Sequence, residues 1–333
     1  MLILSQSDVE RLLPMRDCIE IMASTLETLA RGDAVLPLRT VIRIPQTNNA
    51  FGVMPAYLGS PRTIGAKIVT VFPGNHGTAL DSHQGAVLLF DRHDGRLVAL
   101  LDATAITTIR TAAASAVATR LLARENASAL AIIGSGVQAR AHIEAICAVR
   151  PIAFLRVWSR STDRAATLAG FAREHFHLDA SVAATGADAV RDADIVCTVT
   201  SSTTPVLEGA WLTPGTHVNA VGACTPNARE IDSAVVVRSR LYVDRRESAL
   251  REPGDILFPL QNGEIGPEHI VAEVGELLAG RGSGRRDDRE ITLFKSLGLA
   301  IEDLAAASHV YEQAVRAGLG TQVELGGARH ASH

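Results

Sequence analysis

The stretch with the clearest chemistry is residues 129–142, A-L-A-I-I-G-S-G-V-Q-A-R-A-H, where five apolar residues run into Gly134-Ser135-Gly136-Val137-Gln138-Ala139 and a helix-forming run follows. A buried parallel strand ending in a tight glycine turn that opens a helix is a phosphate-binding corner for a dinucleotide. Gly134 permits the turn, Gly136 lets the backbone approach a pyrophosphate, and Ala139, in the third glycine's place, keeps the helix tight on the strand. The helix N-terminus offers unpaired N–H groups and a partial positive charge to the phosphates. About 20 residues on, an acid ordinarily takes the ribose 2′-hydroxyl of NAD. Here the sequence is Trp158-Ser159-Arg160-Ser161-Thr162, with no carboxylate. An arginine flanked by hydroxyls suits a 2′-phosphate, which favours NADP(H) and leaves NAD(H) open; the plain alternative is an exposed turn arginine.

A second group of residues is cationic. Lys67 lies in Gly65-Ala66-Lys67-Ile68-Val69-Thr70-Val71, on one face with Val69 and Val71, while Ile64, Ala66 and Ile68 point the other way. A lysine in a half-buried strand must find a carboxylate or lower its pKa, and catalytic lysines are made that way. The same pattern also fits an edge-strand lysine that blocks aggregation. Arg39 and Arg110, near strand and helix ends, suit a bidentate grip on a carboxylate, although either could be a surface or salt-bridge residue. His76 and His83 share a glycine-rich loop with Asp81, either as a base pair or as loop-ordering groups. Asp303 reads as a plain carboxylate at a helix N-terminus. No H-x-x-x-H metal spacing and no G-x-S-x-G nucleophile elbow occur, so no metal site is expected.

Two kinds of element must position these groups. Ser7-Asp8-Val9-Glu10 reads as a capping box opening a short helix before Pro14, and a longer helix runs to about Arg31 with Gly32 as its stop. The period then changes to two, with strands expected at 40–44, 50–54, 64–72, 86–90 and, after the turn Arg92-His93-Asp94-Gly95, at 97–101. Consecutive short strands of this kind form an antiparallel meander, an α+β unit too small to cover its own sheet. An alanine-rich helix over 105–124 leads to the nucleotide strand. From there strands at 154–158, 180–183, 195–200, 217–222, 240–244 and 291–294 alternate with helices, which predicts a parallel sheet covered on both faces. A helix over 301–317 closes the chain. The expected fold class is α/β: residues 113–300 as a Rossmann-type doubly wound dinucleotide domain, residues 1–112 completed by helix 301–320 as a substrate and dimerisation domain, and 321–333 as a disordered tail.

The 333 residues are 47% hydrophobic and 20% charged with a formal net charge of −4, which gives no basic surface for nucleic acid or an anionic membrane. No apolar run reaches the roughly 18 residues needed to span a bilayer, and Met1-Leu2-Ile3-Leu4-Ser5 lacks the pattern of a signal peptide. Cys18, Cys147, Cys197 and Cys224 have no metal or C-x-x-C spacing and read as free thiols of a cytoplasmic protein.

With these residues placed, the chain resembles the ornithine cyclodeaminase/mu-crystallin family over roughly residues 2–320. The resemblance is carried by Val53-Met54-Pro55-Ala56-Tyr57, Lys67-Ile68-Val69, Phe72-Pro73-Gly74-Asn75, Thr107-Thr108-Ile109-Arg110-Thr111-Ala112-Ala113, the glycine turn from Gly134 to Ala139 and Phe294-Lys295-Ser296-Leu297-Gly298. It implies an NAD(P)(H)-binding oxidoreductase of amino-acid metabolism acting as a homodimer on a small imino or amino acid, with Lys67 in the active site. It further implies that Arg39, Arg110 and Met54 bind substrate. Thr111, Gly134, Ser135, Gly136, Val137, Gln138, Ser159, Arg160, Ser161, Thr200, Val221, Ser296 and Gly298 would line the cofactor.

Two departures bear on the reaction. The cyclodeaminases of the family carry a glutamate where this chain has Gly52 and an aspartate where it has Ala223-Cys224-Thr225, and those acids handle the amino groups of a diamine. The expected function is therefore NAD(P)H-dependent reduction of imines of 2-oxo acids, or amino-acid dehydrogenation. An ornithine cyclodeaminase-type ammonia lyase and a non-catalytic NADP(H)-binding protein are the alternatives; three cations around one pocket favour the enzyme.

Overall fold

A computed structural model describes residues 1–75 and 77–326, and its contacts divide the chain into two compact units. The first comprises Met1–Ile21, Arg31–Arg110 and the chain from Leu299 onward. Its strands are β1 (Leu2–Leu4), β2 (Ala34–Val35), β3 (Thr40–Arg43), β4 (Ala50–Gly59), β5 (Arg62–Val71), β6 (His83–Phe90) and β7 (Leu97–Asp102). They form one sheet in the order β1-β7-β6-β5-β4-β2, with β3 also on β4, and the strand Thr321–Gln322 added beyond β1. From β4 to β7 the ladder is antiparallel, as the period-two pattern predicts. β1 instead runs parallel to β7, and Thr321–Gln322 pairs with β1 where the sequence predicts a disordered tail; residues 327–333 lie outside the described residues. β4 is about twice as long as the sequence suggests because it continues through Pro55. That proline falls where β4 changes partner, between the last pair with β3 (Thr40 opposite Val53) and the first with β2 (Val35 opposite Tyr57), so its missing N–H costs no bond on that side.

Helix α1 (Gln6–Leu12) starts earlier than expected: the cap is Ser5, whose hydroxyl accepts from the Asp8 N–H while the Asp8 carboxylate accepts from the Ser5 N–H at 2.9 Å. Helix α2 (Met15–Ala30) follows and stops before Gly32, which takes φ +81°. The C-terminal helix (Ala300–Ala317) packs on one face of β4, β5 and β6. Leu304 sits over Gly65, where any Cβ would meet it at 2.7 Å, and the Thr63 hydroxyl donates to Ser308 Oγ at 3.1 Å. The opposite face is apolar across its middle, with Arg62, Thr70, Gln84 and Asp102 at its margins. Phe51, Val53, Pro55 and Tyr57 of β4, Ile64, Ala66 and Ile68 of β5, and Ala86, Leu88 and Phe90 of β6 are exposed or half-exposed there.

The second unit comprises Met22–Ala30 and Thr111–Gly298. The sequence predicts a first unit of residues 1–112 completed by the C-terminal helix; the contacts divide the chain after Arg110, within α3 (Ala103–Leu122), and give the second half of α2 to the second unit. Eight strands follow: β8 (Ala129–Ile133), β9 (Phe154–Trp158), β10 (Asp179–Val182), β11 (Ile195–Thr198), β12 (His217–Ala220), β13 (Arg240–Val243), β14 (Ile270–Glu273) and β15 (Thr292–Lys295). All pair in parallel, in the order β10-β9-β8-β11-β12-β15-β13-β14. The order reverses beside β8, which is the topological switch point of a doubly wound sheet. Alternate residues of β8 serve opposite layers, Leu130 and Ile132 packing with α4 (Val137–Val149) and α5 (Thr162–Phe176), and Ala131 and Ile133 with the core of the other face.

Candidate active site

In the first unit β5 is a central strand between β4 and β6, so Lys67 is no edge-strand residue. It is 3% exposed, opposite Met54 in the ladder with β4. Its ammonium donates to Thr107 Oγ1 at 2.7 Å and to Asp303 Oδ1 at 3.2 Å. The Thr107 hydroxyl spends its own proton on the Ala103 carbonyl, one turn back in α3, which leaves an oxygen lone pair facing the lysine. Arg110 is also buried. Its Nε donates to Asp303 Oδ1 and one terminal nitrogen to Glu302 Oε2, both at 2.9 Å. Two cations and two carboxylates are thus packed together with almost no water. Asp303 Oδ2 is buried and takes no hydrogen bond among the described residues.

The electrostatics follow from this arrangement. Burial pushes the Lys67 ammonium down to a pKa of about 8; Asp303 opposes that shift, and Arg110 and Arg39 add to it. For Asp303, burial favours the neutral acid, yet the charges of Arg110 and Lys67 outweigh it and hold the carboxyl below its usual range. Arg39, half-buried just before β3, is close enough for its charge to be felt at Lys67. Lys67, Arg39, Arg110 and Met54 are therefore gathered in one place. Asp303 does lie in the first turn of a helix, but it is a fully buried partner of both cations rather than a plain terminal carboxylate. His83 is exposed at the start of β6 and shares a hydrogen bond with the neighbouring Ser82, and His76 lies outside the described residues.

In the second unit the glycine turn has the expected form. Gly134 ends β8 with φ +128°, and a Cβ there would stand 2.7 Å from the Val199 carbonyl oxygen. Gly136 is the N-cap of α4 and has no side-chain cap, so its helix N-terminus is open, with Val137 exposed beside it and Ser135 and Gln138 half-buried. The Ser135 hydroxyl donates to Ser159 Oγ at 2.9 Å, and that hydroxyl donates to the Ser161 carbonyl, tying the glycine turn to the turn after β9. Ser161 caps α5, while Arg160 is exposed. Thr200 follows β11, Val221 follows β12, and Ser296 and Gly298 follow β15; all are at the C-terminal edge of the sheet, as is the turn after β8. Thr111 is buried on α3.

Sequence reasoning missed the carboxylates that hold this edge. Glu230 Oε1 accepts from the Thr200 N–H at 2.5 Å, and Oε2 from the Gly222 N–H at 2.5 Å and the Thr198 hydroxyl at 2.9 Å. Asp244 Oδ2 accepts from the N–H groups of Leu297 and Gly298 at 2.6 and 2.8 Å. Lys295 is fully buried, 2.9 Å from Asp255, and donates to the Ala220 carbonyl at 3.1 Å. The only signal was acidic residues shortly after strands, which is too common to single out.

A doubly wound sheet with a glycine turn at its switch point defines a dinucleotide-binding protein, and here the chain also carries an α+β unit with a buried lysine–arginine cluster. The chain belongs to the ornithine cyclodeaminase/mu-crystallin family, whose model matches residues 1–318. It is 37% identical over 326 residues to a Delta(1)-pyrroline-2-carboxylate reductase of Bacillus cereus, covering 98% of this chain and 100% of that one. Among solved structures it is similar to the Thermococcus litoralis Delta(1)-pyrroline-2-carboxylate reductase in complex with NADH and L-proline, with a TM-score of 0.95, 40% identity and coverage of 97% and 100%. It is also similar to an archaeal alanine dehydrogenase dimer with bound NAD, with a TM-score of 0.92, 33% identity and coverage of 98% and 99%.

The cluster makes a direct stability prediction. Asp303→Ala removes the carboxylate shared by Lys67 and Arg110 and leaves buried positive charge under-compensated, at a cost of about 3–5 kcal/mol. Urea unfolding of the variant and the parent measures this, and equal midpoints and slopes would show that the cations do not depend on Asp303.

Proposed function

We propose that this chain is an NAD(P)H-dependent reductase of imines of 2-oxo acids, with cyclic imino acids such as Δ1-pyrroline-2-carboxylate as the first substrates to test. The observation that carries the reading is the buried Lys67, held with Arg110 by two carboxylates inside a family whose relatives include such reductases. A bound nicotinamide would supply the hydride for the carbon of a C=N bond, and a proton would be needed at nitrogen to complete the amine. Arg39 and Arg110 are assigned to the substrate carboxylate, the latter with its guanidinium plane fixed by Glu302 and Asp303. Met54, beside Lys67, contributes apolar wall. Lys67 is assigned the proton, because a pKa of about 8 lets it both give and recover one near neutrality. Gly52 and Cys224 bring no acid for the second amine of ornithine, which disfavours cyclodeamination.

Three experiments test this reading. Lys67→Ala should lower kcat for imine reduction by about 10²-fold or more, the usual range for one acid–base group, and leave dinucleotide affinity unchanged. Because the working form is the cation, the parent's rate should fall as pH rises through about 8. A variant with unaltered turnover, or rapid release of ammonia and proline from ornithine with catalytic NAD, removes the assignment.

For the cofactor, we assign Arg160 to a 2′-phosphate, so that NADP(H) is preferred. Arg160 is exposed, lies between Ser159 and Ser161 in a turn, 158–162, without a carboxylate, and forms no ion pair among the described residues. Arg160→Ala should weaken NADPH by about 10- to 150-fold, the equivalent of one charge-assisted contact, and NADH far less. Titration of both cofactors by fluorescence decides it, since an equal loss for each contradicts the assignment.

The bare apolar face of the first unit supports a homodimer built on that sheet. Placing a charge at its centre, as in Ile68→Asp, should convert the dimer to monomer at micromolar concentration in sedimentation equilibrium. A parent that is itself a stable monomer would refute it.

A further inference from the structure

Glu230 lies in the segment between β12 and the short helix Ser233–Arg238, outside every motif the sequence singles out, yet it is fully buried and both of its carboxylate oxygens accept hydrogen bonds. It joins loops that are far apart in sequence: the backbone of Thr200 after β11 and that of Gly222 after β12 both donate to it. These two loops touch, since a Cβ on Gly222 would stand 2.0 Å from the Thr200 carbonyl oxygen. The preceding residue, Val199, is the wall against which the Gly134 turn closes. Glu230 is in turn held from behind. Asp255 Oδ1 accepts from its N–H at 2.8 Å and from that of Ile231 at 3.2 Å, and Asp255 is pinned by Lys295, which also binds the Ala220 carbonyl. We infer that Glu230, braced by the Asp255–Lys295 pair, is a positioning residue for the dinucleotide: it fixes the backbone of Thr200 and Gly222 in the conformation that receives the cofactor.

The inference rests on the proposed use of a dinucleotide and on the family resemblance, which implies that Thr200 and Val221 line it. A carboxylate suits the task because it offers several lone pairs to N–H groups that converge from different directions, which an amide or hydroxyl cannot match. Pre-formed backbone is what a flexible dinucleotide needs, because loops ordered only on binding would weaken its affinity. The consequence falls on binding and not on chemistry, since Glu230 is assigned no contact with the reacting atoms.

The test separates affinity from turnover and from stability. Glu230→Ala should raise the Kd for NADH and NADPH by about 10-fold or more, the scale of charge-assisted hydrogen bonds lost, while kcat at saturating cofactor changes little. Glu230→Gln, which keeps one acceptor oxygen and nearly the same volume, should fall between the parent and the alanine variant and covers the case of an alanine variant that does not fold. Thr292→Val serves as the control. It removes the hydroxyl that bonds His217 at 2.9 Å, at the opposite end of β15 from Lys295, and should lower Tm without moving the Kd. If the parent binds dinucleotide and both Glu230 variants bind it equally well, the inference falls while the proposed function stands. It also falls if Thr292→Val weakens binding as much for the same loss of Tm. A parent that binds neither dinucleotide overturns the proposed function and this inference with it.

Discussion

An ammonium group without water has to be held by other charges, and the first unit is arranged around that requirement at Lys67. Removing a cation from water costs several kcal/mol even after the surroundings relax, and a single carboxylate nearby seldom offsets it. Here two carboxylates come from consecutive residues, Glu302 and Asp303, in the first turn of the C-terminal helix, where the helix dipole favours negative charge. Being neighbours on a helix, they diverge, and Arg110 spans them by meeting each with a different nitrogen. Asp303 turns far enough to reach Lys67 as well. Lys67 keeps its place, but its proton is held less firmly than in water.

The second unit uses the same residue types differently. Its buried carboxylates chiefly receive backbone N–H groups. Glu230 serves Thr200 and Gly222, and Asp244 serves Leu297 and Gly298. At the other end of the sheet the half-buried Asp194, which also pairs with Arg124, serves Ser128 and Ala129. A parallel sheet ends in loops whose N–H groups cannot all be satisfied by the ladder, and one carboxylate bridging two loops resolves several of them at once. The same geometry leaves the edge firm where a glycine turn must stay open.

Periodicity made the architecture legible. The glycine turn, the parallel strands and the meander follow from apolar spacing, whereas alternation over Gly65–Val71 puts Lys67 on one face with Val69 and Val71 without telling which face is buried, because both faces of that strand carry apolar residues. What stayed hidden was pairing over distance. Nothing near Lys67 in the sequence indicates that its carboxylate is 236 residues away, and nothing around Glu230 distinguishes it from a surface acid. Short elements escaped for a different reason: β1 and Thr321–Gln322 are too brief to show a period and exist because they complete an edge. Pro55 misled in the opposite sense, since a proline normally ends a strand and here falls at a change of partner.

The first unit is discontinuous in the chain, and this puts an order on its assembly. Residues 1–21 and 31–110 leave the ribosome first, but the helix that supplies Glu302 and Asp303 follows only after almost all of the second unit has been made. During synthesis the meander therefore exists for a time with Lys67 and Arg110 present and their carboxylates not yet translated. In that interval both cations belong in water, and the core around them cannot close. The second unit, continuous from Thr111 to Gly298 apart from one half-helix, can form its sheet in that same interval. The final helix then acts as the closing step, joining contacts of very long sequence separation, which are the slowest kind to form.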